Sequence, residues 1–359
     1  MVPADASAKR DTDAAEGEAA QQVRDRTEEV DAAEDHRDQR AAIVYNPIKV
    51  DLEVLRAAVA AAAEEAGWQE SLWLETSVDD PGIGMTKEAV AEGVDVVLAA
   101  GGDGTVRAVA EGLQGSDSAL ALLPAGTGNL LARNLDLTLD NLTEAVSTAF
   151  AGRDRNVDLG RMRLHRADGK IEEHAFVVMA GIGLDAQLMA NTDDDLKKKI
   201  GWLAYAKSIG QALKGGRRIR LTSAYDGGKA HRRRLHTLLI GNCGSLPGNI
   251  LLLPEAAVDD GVLDIVALRP DGLFGWLQIS WKVLVENALL HRTGAGQRLK
   301  GAARDIRALN YQHAASIDVT LRAPEELELD GDGFGEVVKF EAWVDQHGLR
   351  VRVPDPDGR

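Results

Sequence analysis

Two glycine-rich runs in this chain have the residue types and spacing to hold a phosphate. Gly101-Gly102-Asp103-Gly104-Thr105 follows the apolar run Asp95 to Ala100, and Pro124-Ala125-Gly126-Thr127-Gly128-Asn129 follows Ala119 to Leu123. Glycine has no Cβ, so its backbone can approach an anion closely. A helix that starts directly after such a turn presents unpaired N–H groups and the positive end of its dipole. Thr105 can donate a further hydrogen bond, whereas Asp103 is too acidic to face bare phosphate without a metal or a bridging donor. A single glycine turn after a strand is weak grounds for a site, since many are only tight turns. Two of them, each with a threonine inside, point to a phosphorylated ligand. A Walker sequence (GxxxxGK followed by Ser or Thr) is absent and no GxGxxG opens a helix, so neither a P-loop nor a dinucleotide fingerprint forms this site.

The elements that must hold the turns alternate in type. Ile43-Val44-Tyr45 reads as a buried strand ended by Asn46-Pro47. Leu52, Leu55, Val59 and Ala62 repeat at helical spacing across Asp51 to Trp68, with Asp51 suited to cap the start and Gly67 the end. A strand over Leu72 to Glu75, a turn-rich stretch from Thr76 to Gly84 and a helix from about Thr86 to Glu92 follow. Helices are expected again after each glycine run, through Phe150. Strands alternating with helices imply a parallel sheet covered on both faces, whose ligands bind beyond the carboxyl ends of its strands. Both glycine turns lie there.

Beyond Gly152 alternating apolar segments dominate: Val157 to Leu164, Ala175 to Met179, Ile219 to Tyr225, Leu235 to Ile240, Leu263 to Leu268, Ser316 to Leu321 and Glu326 to Leu329. Their turn spacing suggests an antiparallel β-sandwich, interrupted by helical stretches over Trp202 to Leu213 and Gly272 to Leu290. The expected fold class is α/β: an N-terminal parallel-sheet domain over 41–152, then a β-sandwich domain over 153–353. Segments 1–40 and 354–359 are read as tails. Residues 1–40 hold twelve Asp/Glu against six Lys/Arg and almost no large apolar side chain, which is the composition of a disordered segment.

Composition narrows the function classes. A net charge of −16 argues against nucleic-acid binding through phosphate contacts and against broad attraction to an anionic membrane. The lone Cys243 rules out a disulfide framework and a cysteine-cluster zinc site. No run approaches the roughly 18 apolar residues of a membrane span, and the first forty residues lack the apolar core of a signal peptide. A cytoplasmic protein without a transmembrane segment is expected.

GGDGT at 101–105 resembles the signature loop shared by diacylglycerol kinases, sphingosine kinases and NAD kinases. LPAGTGN at 123–129 is similar to the second loop of the lipid-kinase branch, and Asn46-Pro47 to its first. GIGLDA at 181–186, PEAAVDDGVLD at 254–264 and LDGD at 329–332 continue the resemblance in order, so that it covers roughly 41–353. It implies a nucleotide-binding α/β domain followed by a β-sandwich, with the active site in the cleft between them, and an ATP- and Mg2+-dependent kinase acting on a lipid hydroxyl. Asn46, Thr76, Gly101, Gly102, Asp103, Gly104, Thr105, Val106, Arg107, Gly126, Thr127 and Asn129 would then line the nucleotide. Thr76 is equally readable as a turn or cap hydroxyl, and Arg107 as a solvated first-turn residue.

A lipid hydroxyl is a poor nucleophile, so a base must take its proton, an effect worth about 10²–10⁴-fold. By the resemblance that base is Asp332, where relatives usually carry glutamate in DGE; Asp330 is a second candidate, with hydrogen bonding to the turn backbone as its other reading. The shorter side chain displaces the carboxylate by about 1 Å, enough to cost about 10² in rate unless the backbone compensates. Leu130 stands where many diacylglycerol-type members have aspartate. Asp103 therefore becomes the carboxylate expected to support the catalytic metal. Asp260, with the Ala257 and Val262 carbonyls, corresponds to a structural Mg2+ site, or else forms an ordinary Asp-Gly turn. Asp185 either faces the cleft or caps a turn.

The acceptor leaves a fainter trace. Trp202, Tyr205, Ile209 and Leu213, and Phe274, Leu277, Trp281, Leu284 and Val285, form stripes that suit an acyl chain or plain core packing. Lys197 to Lys199, Lys214, Arg217, Arg218, Arg220 and Arg232 to Arg234 would form a patch for lipid headgroups if they share a face, and are otherwise solvated charge. The expected partner is a lipid met transiently at the membrane surface, and a homodimer is left open. The rival readings are an NAD kinase and a catalytically weakened nucleotide- or lipid-binding protein.

Overall fold

The computed structural model describes residues 39–126, 128–183, 218–246, 250–251, 253, 256–269 and 309–356. Residues 1–38, Thr127, Asp185, Lys197 to Lys199, Lys214, Arg217 and the expected helices Trp202 to Leu213 and Gly272 to Leu290 lie outside the described residues.

The first half runs β1 (Ala41–Tyr45), α1 (Leu52–Ala66), β2 (Leu72–Glu75), α2 (Ile83–Ala91), β3 (Val96–Gly101), α3 (Asp103–Gly112), β4 (Ala119–Pro124), α4 (Leu130–Asn134) and α5 (Leu142–Ala151). Its four strands are parallel in the order β2-β1-β3-β4, with Ile43 opposite both Trp73 and Leu98. Alternation along each strand sorts the side chains to two layers. Ala42, Val44, Val97, Ala99, Leu120 and Leu122 pack toward Val109 and Leu113 of α3. Ile43, Val96, Leu98, Ala121 and Leu123 pack toward Leu55 and Val59 of α1 and Val146 and Phe150 of α5. Buried on both faces, these strands read as unbroken apolar runs. The Asp51 carboxylate accepts the Val54 N–H at 3.2 Å, and Gly67 closes α1 at φ 73°, as the sequence predicts.

The second half is strand-rich: β5 (Arg153–His165), β6 (Ile171–Phe176), β7 (Met179–Ile182), β8 (Ile219–Tyr225), β9 (His231–Leu235), β10 (Thr237–Gly241), β11 (Ser245–Leu246), β12 (Ile250–Leu251), β13 (Leu263–Leu268), β14 (Leu309–Ala314), β15 (Ser316–Leu329) and β16 (Asp332–Val353). Pairing here is antiparallel, around a core that holds Met162, Phe176, Ile240, Ile265, Val319 and Phe340.

The long strand β16 joins the two halves. It pairs with β15 and β5, and near its end Val351 pairs in parallel with Leu120 of β4. Its alternation is heavily charged, which is why the apolar pattern did not announce it. Two other differences have local causes. The expected strand Ala175 to Met179 is broken at Val177-Val178, whose N–H groups turn to the Asp330 carboxylate. The two expected strands Ser316 to Leu321 and Glu326 to Leu329 form one element, β15, with register shifts on either side of Glu325-Glu326 that accommodate Pro324.

Candidate active site

The carboxyl ends of β1 to β4 form one ledge. Asn46 donates its N–H to the Ala100 carbonyl at 2.9 Å, Thr76 donates its own to Tyr45 at 2.9 Å, and Ala125 donates to Gly101 at 3.0 Å. Asn46 and Thr76 therefore lie at the same level as the two glycine turns. The Asn46 side chain accepts the Ile48 N–H at 3.0 Å, and Thr76 is buried.

The turns are interlocked. A Cβ on Gly126 would meet the Gly102 Cα at 2.8 Å, so this crossing admits only glycine. Asp103 reaches across it: Oδ2 accepts the Asn129 N–H at 3.1 Å and Oδ1 the Leu130 N–H at 2.6 Å. Asn129, at φ 48°, folds back so that its amide accepts from Gly126 N–H at 3.1 Å and donates to Gly126 C=O at 2.9 Å. Asp103 is thus a brace between the loops. Leu130 lends its N–H to that brace while its side chain packs in the apolar core. Thr105 and Val106 are buried in the first turn of α3.

β15 and β16 bring a second carboxylate to this ledge. Asp330 and Gly331, at φ 50° and 91°, form a two-residue hairpin turn of the type that Asp-Gly favours. Asp332 then begins β16. Its Oδ2 would lie 2.8 Å from a Cβ on Gly104, so the carboxylate rests on the bare face of that glycine. Burial pushes the Asp332 carboxyl up from its ordinary value and Asp103 adds to this, while Arg107 opposes both. Gly104 thus leaves room for the aspartate to sit against the first turn of α3.

Arg107 is not a solvated first-turn residue: it is 4 % exposed. Its Nη1 donates to Glu111 Oε2 at 3.0 Å, its guanidinium lies 4.7 Å from the Phe334 ring centroid, and its Nε is 3.9 Å from Asp332 Oδ2. Glu111 also accepts the Ala175 N–H at 3.1 Å and lies 3.3 Å from His174 Nδ1. Burial pushes the Glu111 carboxyl up, but the bonds from His174 and Ala175 with the Arg107 charge leave it below its ordinary value. Nothing in the spacing of Glu111, His174 and Phe334 marked them, because they meet only across elements.

Asp330 bonds backbone. Its buried carboxylate accepts N–H groups from Val177, Val178 and Met179 at 2.8, 2.9 and 2.9 Å, and burial pushes its pKa to about 6. In the turn before β13, Asp260 Oδ1 accepts the Val262 N–H at 3.2 Å, and burial chiefly raises its carboxyl. Ala257 is partly buried at the same turn. The nearby Asp158, which sequence reading passed over, is buried and accepts from Gly261 N–H at 2.7 Å and His347 N–H at 2.8 Å. An acid between Val157 and Leu159 in a buried alternation was the available signal. Among the described residues no three His, Cys, Asp or Glu side chains gather into a metal cage.

Comparison with known proteins agrees with this architecture. Residues 40–162 match the family profile described as the diacylglycerol kinase catalytic domain. The protein of Pseudomonas aeruginosa named "Probable lipid kinase YegS-like" is 35% identical over 311 residues, covering 84% of this chain and 90% of that protein. The chain belongs to the diacylglycerol kinase and YegS-like lipid kinase family. The "Diacylglycerol kinase" of Bacillus subtilis is 27% identical over 298 residues, 82% of this chain and 89% of that protein. A crystal structure of a diacylglycerol kinase from Bacillus anthracis superposes with a TM-score of 0.64 at 22% identity, covering 89% of this chain and 97% of the other. That likeness speaks for the fold: a parallel sheet in the N-terminal part and a sheet-rich C-terminal region. Family membership makes the protein a phosphotransferase. No helix among the described residues is long and apolar enough to cross a membrane.

Proposed function

We propose that the protein transfers the γ-phosphoryl group of ATP to a hydroxyl of a lipid, a diacylglycerol or sphingoid-like alcohol, with Asp332 as general base. The observation that carries this is the Asp332 carboxylate resting on Gly104, at the N-terminus of the helix that opens the first phosphate cradle. Base and cradle come from distant parts of the chain, and a structural turn alone has no need of that meeting.

The first N–H groups of α3 have no partner within the helix, and with Asn46 and the second glycine turn they would hold the triphosphate. The acceptor hydroxyl would give its proton to an Asp332 oxygen as its own oxygen bonds to the γ-phosphorus. The bond from that phosphorus to the β,γ-bridging oxygen breaks, and ADP leaves. Burial raises the Asp332 pKa, which brings the carboxylate closer to the operating pH and makes it a better proton acceptor.

Magnesium carried on phosphate oxygens needs only one or two carboxylates from the protein. The residues fit that mode, since each Asp103 oxygen keeps a lone pair beyond its one backbone bond and could hold the ion through water. When bound, the ion would neutralise charge on the β- and γ-oxygens. We place this chemistry in the cytoplasm, with transient contact at the membrane surface.

The test is incubation of the purified protein with labelled ATP, magnesium and a panel of diacylglycerols, sphingoid bases and polyprenols, with NAD as a control. Label should enter a lipid and fall about 10²–10⁴-fold in Asp332→Ala. Transfer to NAD alone, transfer that survives the substitution, or nucleotide binding without any transfer would each overturn the proposal.

A further inference from the structure

Asp332 occupies a position with little to hold its side chain still. It lies between Gly331 and Gly333, neither of which can pack against it, and its side chain is 53% exposed. Among the described residues no hydrogen bond holds its carboxylate; what stands beside it is Arg107, at 3.9 Å. Arg107 itself is anchored by Glu111 and Phe334. One nitrogen is bonded to Glu111, the guanidinium carbon lies over the Phe334 ring, and the buried Nε, without a hydrogen-bond partner among the described residues, is the nitrogen nearest Asp332. Glu111 is in turn held by the Ala175 N–H and His174 of β6, and the His174 ring packs edge-on against Phe334 at 4.7 Å. Phe334 is on β16, two residues beyond Asp332 and on the same face.

We propose that Arg107 is a positioning residue for Asp332, held by Glu111 and Phe334 so that its free Nε fixes where the Asp332 carboxylate points. The inference rests on the reading of Asp332 as general base. It gives the buried arginine a different role from the nucleotide contact that the resemblance implied: its polar edges are directed to Glu111 and Asp332, and 4 % exposure leaves little surface for a phosphate. A guanidinium suits the task because its planar fork loses little freedom when one edge is anchored and the other directs a carboxylate.

A double-mutant cycle on the full-length protein tests this, using the lipid that the wild type phosphorylates. Arg107→Gln is expected to lower kcat about 10²-fold, the usual cost of misplacing a catalytic group by about 1 Å, with ATP affinity within about twofold. In an Asp332→Asn background the same substitution should change kcat by about twofold or less, because the group it positions is already gone. Among the described residues the charged groups facing Asp332 are Arg107 and Asp103, both on α3, so removing Arg107 should move the acid limb of the kcat profile to higher pH. Phe334→Leu, which keeps the bond between Arg107 and Glu111, should give a smaller loss that also vanishes in the Asp332→Asn background. That variant carries the test if Arg107→Gln fails to fold. Equal losses in both backgrounds, or a loss of ATP affinity, would overturn the assignment of Arg107 in an enzyme that is otherwise as proposed. A wild-type protein that phosphorylates no lipid would overturn the function, and this inference with it.

Discussion

Replacing Asp103 by asparagine separates a brace from a purely metal-bearing carboxylate. In the wild type its two oxygens accept N–H groups from Asn129 and Leu130 at 3.1 and 2.6 Å. An asparagine keeps one acceptor and turns an NH2 toward the other N–H, so one inter-loop bond is lost and a donor is left facing a donor. Losing a hydrogen bond to a charged group, with its partner left unsatisfied, costs about 1–3 kcal/mol. If that cost falls on the loop arrangement that binds nucleotide, ATP affinity drops by about 30-fold at a central value of about 2 kcal/mol. Calorimetric titration should be run twice, with ATP in EDTA and with ATP and magnesium. A brace predicts the loss in both, and predicts it again for Gly128→Ala, whose methyl would push Asp103 Oδ2 off its bond to the Asn129 N–H while the chain keeps the carboxylate. A loss seen only with magnesium, and absent from Gly128→Ala, would refute the brace.

Gly104→Ala would put a methyl 2.8 Å from Asp332 Oδ2, and it should reduce kcat about 10²-fold while ATP affinity measured by titration changes little. Asp330 should leave a signature in stability against pH. Its folded pKa of about 6 lies above the ordinary aspartate value of 3.8, so the folded state binds the extra proton between these pH values and stability falls as pH rises through them. Urea unfolding of wild type and Asp330→Asn from pH 4 to 7 should show the wild type losing ground to the variant with rising pH, and a pH-independent difference would show that the raised pKa is wrong.

The local features were legible because their physics is local. A glycine run between an apolar strand and a helix, Asp51 and Gly67 at the ends of α1, and an Asp-Gly pair at a hairpin all act within a few residues of themselves. Each leaves a mark at fixed spacing. The parallel sheet followed from strands and helices alternating, and the placement of the glycine turns from the rule that such sheets bind at their carboxyl ends. What spacing could not supply was the partner of each charged group. Asp330 and Asp332 sit on either side of one glycine and are chemically alike in the sequence. Folding buries the first against three backbone N–H groups and sets the second on Gly104, a physical difference between them that, resemblance aside, the residue types do not carry. Arg107 reads as a surface residue of a first helical turn until Phe334 and Glu111 close over it. The charged strand β16 hides its role for the same reason. Its pairing with β15, β5 and β4 is a long-range choice among backbones, which side-chain patterning along one strand does not encode. Burial and pairing are properties of where two distant segments meet, so tertiary structure alone decided them.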